Sequence, residues 1–338
     1  MSVRFYLALL SLAFGLVAFA EDKKPKTLGT IERKHPMIDE LIAKDATIDV
    51  LADGFDWSEG PVWVKDKTGG HVLFSDIPKN MIWKWSEKDG LKEFLKPSGY
   101  TGTEKFTGRE PGSNGLAIDK DGTLILCMHG DRRLASYKDG KFTTLANNYE
   151  RNNFNSPNDL AIKSNGDIYF TDPPYGLPEQ MKDKNKQLDF QGVYRLDTKG
   201  KVTLLTKEMS RPNGIAFSPD EKTLYVANSD PEKAVWMKYG VEKDGTLGKG
   251  EVLFDTTAWV KAKKPGLPDG LKVDKDGNLF ATGPGGVVIL SAEGKHLGTI
   301  ATGVPTANCG WGDDGSTLYI TADKQLVRVK TKTKGAGW

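Results

Sequence analysis

Residues 157–172 read PNDLAIKSNGDIYFTD. An Asn with an acidic neighbour precedes a short apolar run, a Gly-bearing turn and a second apolar run. Two such runs around KSNG, whose Gly supplies a positive-φ position, predict a β-hairpin. The arrangement recurs on both sides of this stretch. Upstream it appears as WSEGPVWV from Trp57 and SNGLAIDKDGTLILC from Ser113. Downstream it appears as PNGIAFSPDEKTLYVAN from Pro212, PDGLKVDKDGNLFATG from Pro268 and ANCGWGDDGSTLYIT from Ala307. Aligned on Glu59, Asn114, Asn158, Asn213, Asp269 and Asn308, the steps are 55, 44, 55, 56 and 39 residues. A strand–turn–strand unit with this period is the signature of a propeller blade. The expected fold is all-β: a six-bladed β-propeller with four antiparallel strands per blade.

The sixth unit has CGWG, TLYIT and QLVRVK, and then the chain nearly ends. Its missing outer strand is available as TIDVLADGF, residues 47–55. Pairing the two chain regions closes the ring and removes an open edge. The expected organisation is a signal peptide at 1–20, a linker-like segment at 21–45 with a short helix near Met37–Ile42, the propeller at 46–332, and a tail at 333–338. In residues 1–20, Arg4 precedes an apolar run from Leu7, and Ala18-Phe19-Ala20 matches a cleavage pattern. The run is shorter than the roughly 20 residues of a membrane span. The expectation is therefore export, to a periplasm or the exterior, with no membrane attachment after cleavage.

A net charge of +2 over 338 residues, with no basic stripe, argues against nucleic acid as a partner. A closed ring needs no second copy, so a monomer is expected. Cys127 and Cys309 fall in blades 2 and 6, which are not neighbours. Neither has zinc-site spacing. An exported chain permits a disulfide, and Cys127 equally reads as a small core residue.

In a propeller the innermost strands begin at one mouth of one channel. Residues scattered from 59 to 308 then converge. Glu59, Asn158, Asn213 and Asp269 offer two carboxylates and two amide carbonyls, an all-oxygen set suited to a hard divalent cation, Ca²⁺ above Mg²⁺. The alternative is that they cap turns, although the hairpin turns already carry Asp and Asn of their own. Asn114 and Asn308 read either as further ligands or as hydrogen-bonding neighbours of the set. Two long loops, Pro97–Ser113 and Pro173–Gln191, leave the strands on the same side and are expected to overhang the mouth.

These residues resemble the gluconolactonase/regucalcin-like group of six-bladed propellers (SMP-30/gluconolactonase/LRE-like). The resemblance is carried by SEGPVW around Glu59, SNGLAID around Asn114, CMHGDRR from Cys127, and NSPNDLAI with YFTDPPYG around Asn158. RPNGIAFSPDEKTLYVANS, LPDGLKVDKDGN and TLYITA extend it over about residues 46–330. It implies a catalytic Ca²⁺ or similar ion (Mg²⁺, Mn²⁺ or Zn²⁺) held by a Glu, two Asn and an Asp, here Glu59, Asn158, Asn213 and Asp269. It also implies a small-molecule sugar lactone, such as gluconolactone, opened to the aldonic acid. Short animal members carry an Arg where this chain has Ser156, so that substrate-orienting Arg is not carried over.

A cation with an open position would stabilise the negative charge that lactone hydrolysis builds on the carbonyl oxygen. Asp269 is the expected general base, and a nucleophilic role for it is the rival. His129 is read as a substrate-binding wall residue or a proton shuttle. Arg133, with Arg132 beside it, is read as orienting substrate or covering the blade. Asp172 and Tyr175 shape the wall or fix a turn. An aryl-esterase or phosphotriesterase-like hydrolase on the same site, and a non-enzymatic binding propeller, are the other readings. There is no G-x-S-x-G nucleophile elbow.

Overall fold

The apolar runs pair in sequence order into six small antiparallel sheets. The computed structural model describes Met1 and residues 26–338, so the leader read at 1–20 lies outside the described residues apart from Met1. The innermost strands are Ser58–Val64, Ser113–Ile118, Leu160–Ile162, Pro212–Phe217, Leu271–Val273 and Thr306–Gly312. Each is followed by a hairpin partner and then by strands further from the axis. Blade 3, for example, continues with Ile168–Asp172, Gly192–Leu196 and Val202–Thr206.

The core is divided into six apolar layers, one between each pair of adjacent blades. Leu73 and Ile82 meet Leu116 and Leu126 between blades 1 and 2. Phe170 and Tyr194 meet Ile125 and Cys127 between blades 2 and 3. The same pattern runs round to Tyr319 and Leu326, which pack on Phe74 and Trp85 between blades 6 and 1. Burying a large apolar side chain contributes about 1.5–3 kcal/mol, so blade-to-blade packing is the main force holding the ring together. Both cysteines are buried and unpaired, in different layers.

The sixth blade closes as the sequence suggests. Asp49–Asp53 pairs antiparallel with Gln325–Lys330, placing Asp49 opposite Arg328. Ser58 Oγ, at the start of blade 1, donates to the Asp323 carbonyl across the seam at 2.8 Å.

Residues 26–45, read as linker, are tied to the ring. Thr30–Arg33 adds a fifth strand to blade 5, against His296–Ala301. A short helix, Ile38–Leu41, buries Ile38 and Leu41 in the layer between blades 5 and 6. The tail also packs. Ala336 N donates to the Val273 carbonyl at 3.0 Å, and Thr333 Oγ1 donates to Asp274 at 3.0 Å. Among the described residues no helix is long and apolar enough to cross a membrane.

Candidate active site at the channel mouth

The six anchor residues sit where the innermost strands begin, and the strands are irregular there. In blade 2, Ser113 pairs with Met128 and Leu116 with Leu126, so Asn114 and Gly115 together oppose Cys127 alone. In blade 4, Asn213 and Gly214 likewise oppose Ala227. Such a bulge re-aims a side chain away from the regular strand direction. It also explains the glycine after the anchor. A Cβ on Gly214 would collide with the Asp269 carbonyl, and one on Gly60 with the Asn114 carbonyl. These two glycines thus pack directly on the backbone of the next blade. Blades 3 and 6 differ, carrying Asp159 after Asn158 and Cys309 after Asn308.

Glu59, Asn114, Asn158, Asn213 and Asp269 line one cavity of about 460 Å³. Asn308 stands behind it. Its Nδ2 donates to Asp159 Oδ2 at 3.3 Å, its Oδ1 accepts from Cys309 N at 2.9 Å, and its side chain also hydrogen-bonds Glu59. The opposite end of the channel is mainly apolar, lined by Val62, Leu116, Phe217 and Trp311, with Trp338 of the tail.

The polar atoms in the mouth are used asymmetrically. Asn213 Nδ2 donates to Ser229 Oγ at 3.1 Å, and Ser229 Oγ in turn donates to the Pro268 carbonyl. Asn158 Nδ2 lies 3.5 Å from His129 Nε2. The oxygens facing the cavity have no partner: Asn114 Oδ1, Asn158 Oδ1, Asn213 Oδ1 and Asp269 Oδ1 are all buried and unpaired. A buried acceptor without a donor costs about 1–3 kcal/mol. The unpaired oxygens of Asn158, Asn213 and Asp269, with the buried Glu59 carboxylate, make the donor set of a hard cation, and Asn114 adds a further oxygen. The residues therefore fit a divalent ion. Among the described residues no three His, Cys, Asp or Glu side chains gather as a metal cluster, so amide oxygens are essential to this set.

The carboxylates tell the same story. Burial, with the nearby charges of Asp159 and Glu110, pushes Glu59 up to about 8, against a hydrogen bond from Gly60 N that favours the charged form. Burial first, then Glu59, Asp159 and Glu110, push Asp269 well above the carboxylate range. Negative charge is crowded here; among the described residues Lys272 acts on Asp159 and Arg211 lines the cavity, but none of the cavity carboxylates Glu59, Glu110 and Asp269 has a Lys or Arg ion-pair partner.

Further residues line the cavity that were not singled out as site residues by motif or period, Glu110, Arg211 and Trp57 among them. Glu110 comes from the first long loop, with its Oε2 3.1 Å from His129 Nδ1. Asn80 Oδ1 fixes that loop by accepting from the amides of Ser98, Gly99 and Tyr100 at 3.0, 2.8 and 3.2 Å. Arg211 stands two residues before Asn213, and Trp57 two before Glu59. Tyr175, from the second long loop, forms wall as one reading had it. Both long loops thus reach the mouth.

Other residues lie elsewhere. His129 is fully buried behind Asn158 and does not line the cavity. Arg133, read as substrate-binding, does not reach it. Its Nη1 donates to Thr144 Oγ1 at 2.7 Å and its Nη2 to Asp131 at 2.8 Å, and its guanidinium lies over the Phe142 ring. Arg132 is spent on the carbonyls of Phe154, Asn155 and Asn185. Asp172 fixes the backbone before Asn158, accepting from Asn155 N at 2.8 Å and Ser156 N at 2.7 Å.

A family model described as "SMP-30/Gluconolactonase/LRE-like region" matches residues 57–324. A gluconolactonase of Zymomonas mobilis is 40% identical over 318 residues, covering 91% of this chain and 88% of that protein. A pentonolactonase of Haloferax volcanii is 27% identical over 273 residues, covering 78% and 80%. Among solved structures, a gluconolactonase from Xanthomonas campestris superposes with a TM-score of 0.77 at 29% identity, covering 92% of this chain and 96% of that one.

Proposed function

The chain belongs to the SMP-30/gluconolactonase/LRE-like family, and from that premise we propose that it is a lactone hydrolase working in the cavity at the channel mouth. The relatives named gluconolactonase favour a sugar lactone as substrate. The observation that carries the reading is the set of four buried, unpaired oxygens in one cavity.

Glu59, Asn158, Asn213 and Asp269 would hold a divalent cation, with Ca²⁺ the best match to mixed carboxylate and amide oxygens. When bound, such an ion supplies positive charge against the negative charge that develops on the carbonyl oxygen. The chain's own groups do the rest. Ser229 and His129 hold the two amides so that their oxygens face inward. Asn114 offers one more oxygen, to the ion or to a substrate hydroxyl. Asp269 takes a proton from water as the water oxygen bonds to the carbonyl carbon. The C–O bond to the ring oxygen then breaks, and Asp269 returns the proton to that oxygen, leaving a hydroxy acid. Trp57 and Tyr175 wall the cavity, and the two long loops limit its access to solvent.

The test is proton release from D-glucono-1,5-lactone after chelation and again after Ca²⁺ is restored, corrected for spontaneous hydrolysis. Activity lost and then regained supports the reading. An inactive protein that still binds the ion points to an aryl-ester or phosphotriester substrate. A protein that binds no divalent ion overturns the site.

A further inference from the structure

Most arginines in the described residues have an evident occupation. Arg33, Arg132, Arg133, Arg195 and Arg328 donate to protein carbonyls, hydroxyls or carboxylates. Arg109 and Arg151 are exposed. Arg211 is neither. It is half-buried and lines the mouth cavity, and its guanidinium has no hydrogen-bond or ion-pair partner among the described residues. Its backbone is clamped, with its N donating to Asn228 Oδ1 at 2.9 Å and its carbonyl accepting from Ser229 N at 2.9 Å. The stem is therefore fixed while the head is free. A guanidinium presents five donors and no acceptor. Leaving them without protein partners beside a walled cavity makes them available to a ligand.

Its position says which part of the ligand it meets. The reacting carbonyl belongs beside the buried oxygens of Asn158, Asn213 and Asp269. Arg211 precedes the strand that carries Asn213 and is partly open to solvent, so it stands at the rim with Pro231. It faces the substrate atoms away from the bond being broken. Of the lining carboxylates, Glu59 is buried, Glu110 comes from the first long loop, and Asp269 belongs to the next blade. Ser156 cannot share this work, because its buried hydroxyl donates to the Pro173 carbonyl and accepts from Gly176 N.

We infer that Arg211 is a specificity-determining residue that binds the hydroxyl groups of the substrate and so selects polyhydroxylated lactones over unsubstituted ones. This rests on the lactone hydrolase reading only for the name of the reaction; the binding itself is testable without turnover. A site built to hydrogen-bond hydroxyls discriminates strongly against a ligand that lacks them.

The experiment is calorimetric binding of two hydroxy acids to the Ca²⁺-loaded protein and to Arg211→Met. D-Gluconate carries a hydroxyl on every carbon beyond the carboxylate, and 5-hydroxypentanoate has the same carboxylate with only its terminal hydroxyl. The expected result is a Kd for gluconate raised about tenfold or more in the variant, with 5-hydroxypentanoate changed by less than about twofold. Arg211→Lys should recover part of the loss. Equal weakening of both ligands would assign the guanidinium to the carboxylate end and overturn the inference. No weakening of either would make it a bystander, with the same consequence. Kinetics on glucono-1,5-lactone and δ-valerolactone provide the parallel readout. If the wild type turns over neither lactone, the reaction assignment fails while the binding comparison still decides the role of Arg211.

Discussion

The Nε2 of His129 lies 3.5 Å from the side-chain nitrogen of Asn158, and its Nδ1 lies 3.1 Å from Glu110. The imidazole sits between a carboxylate and an amide. Its Nδ1 makes no hydrogen bond of good geometry, and its Nε2 is the ring atom turned to Asn158, placed to accept from the amide nitrogen. The Asn158 oxygen is thereby left facing the cavity. His129 reads on this geometry as the residue that orients a ligand, and not as the base.

Replacing His129 with Ala should weaken divalent-ion affinity by about tenfold to a hundredfold, as loss of a ligand-orienting partner does. Activity should fall at limiting Ca²⁺ and recover largely at saturating Ca²⁺. Titration with Ca²⁺, followed by both calorimetry and turnover, checks this. A variant that binds the ion normally yet stays inactive would restore the proton-shuttle role.

Asp269→Asn should lower lactone turnover by about a hundredfold to ten-thousandfold, the range for loss of a general base. The ion-free variant should melt no lower than the wild type, because Asn removes a carboxyl that burial forces to hold its proton in the folded protein. Thermal melts in chelator separate lost chemistry from lost fold.

Ion affinity should rise with pH. In the ion-free protein, burial keeps the Glu59 proton bound up to about 8. Binding a cation must expel that proton together with the one burial holds on Asp269, so affinity climbs with pH from about 6 through about 8. Calorimetry in buffers of different ionisation enthalpy should detect proton release at pH 7. An affinity independent of pH would contradict the placement of Glu59 in the ligand set.

Asp172 should make stability fall as pH rises. Burial raises its pKa from 3.8 to about 7 in the folded protein, outweighing two backbone donors that favour the charge. A carboxyl with a raised folded value contributes stability that is complete below about 4 and is lost as pH climbs through about 7. Melting curves across that window should be flatter for Asp172→Asn than for the wild type, both taken in chelator.

The blade count, the ring closure and the oxygen set were legible because each repeats or must pair. Asn114, Asn158 and Asn213 occupy equivalent places before an inner strand, and TIDVLADGF supplies the strand that blade 6 lacks. Glu110 carries no such signal. Its loop has no period, and its course is set by Asn80, in the turn between two strands of blade 1. Arg211 was visible only as part of a motif, since nothing in RPNG tells whether the guanidinium finds a partner. Arg133 was misplaced because strand order says which end of a blade a residue occupies, not which way its head turns. Thr30–Arg33 reads as polar, and only the free edge of blade 5 makes it a strand.

The seam between Asp49–Asp53 and Gln325–Lys330 joins segments nearly a whole chain apart. Contacts of that separation are costly in loop entropy and form late. Glu59 lies in blade 1 and Asp269 in blade 5, on opposite sides of the seam, so neither meets the other until the circle is complete. Every partly folded species is then catalytically silent, and recovered turnover during refolding counts finished rings alone.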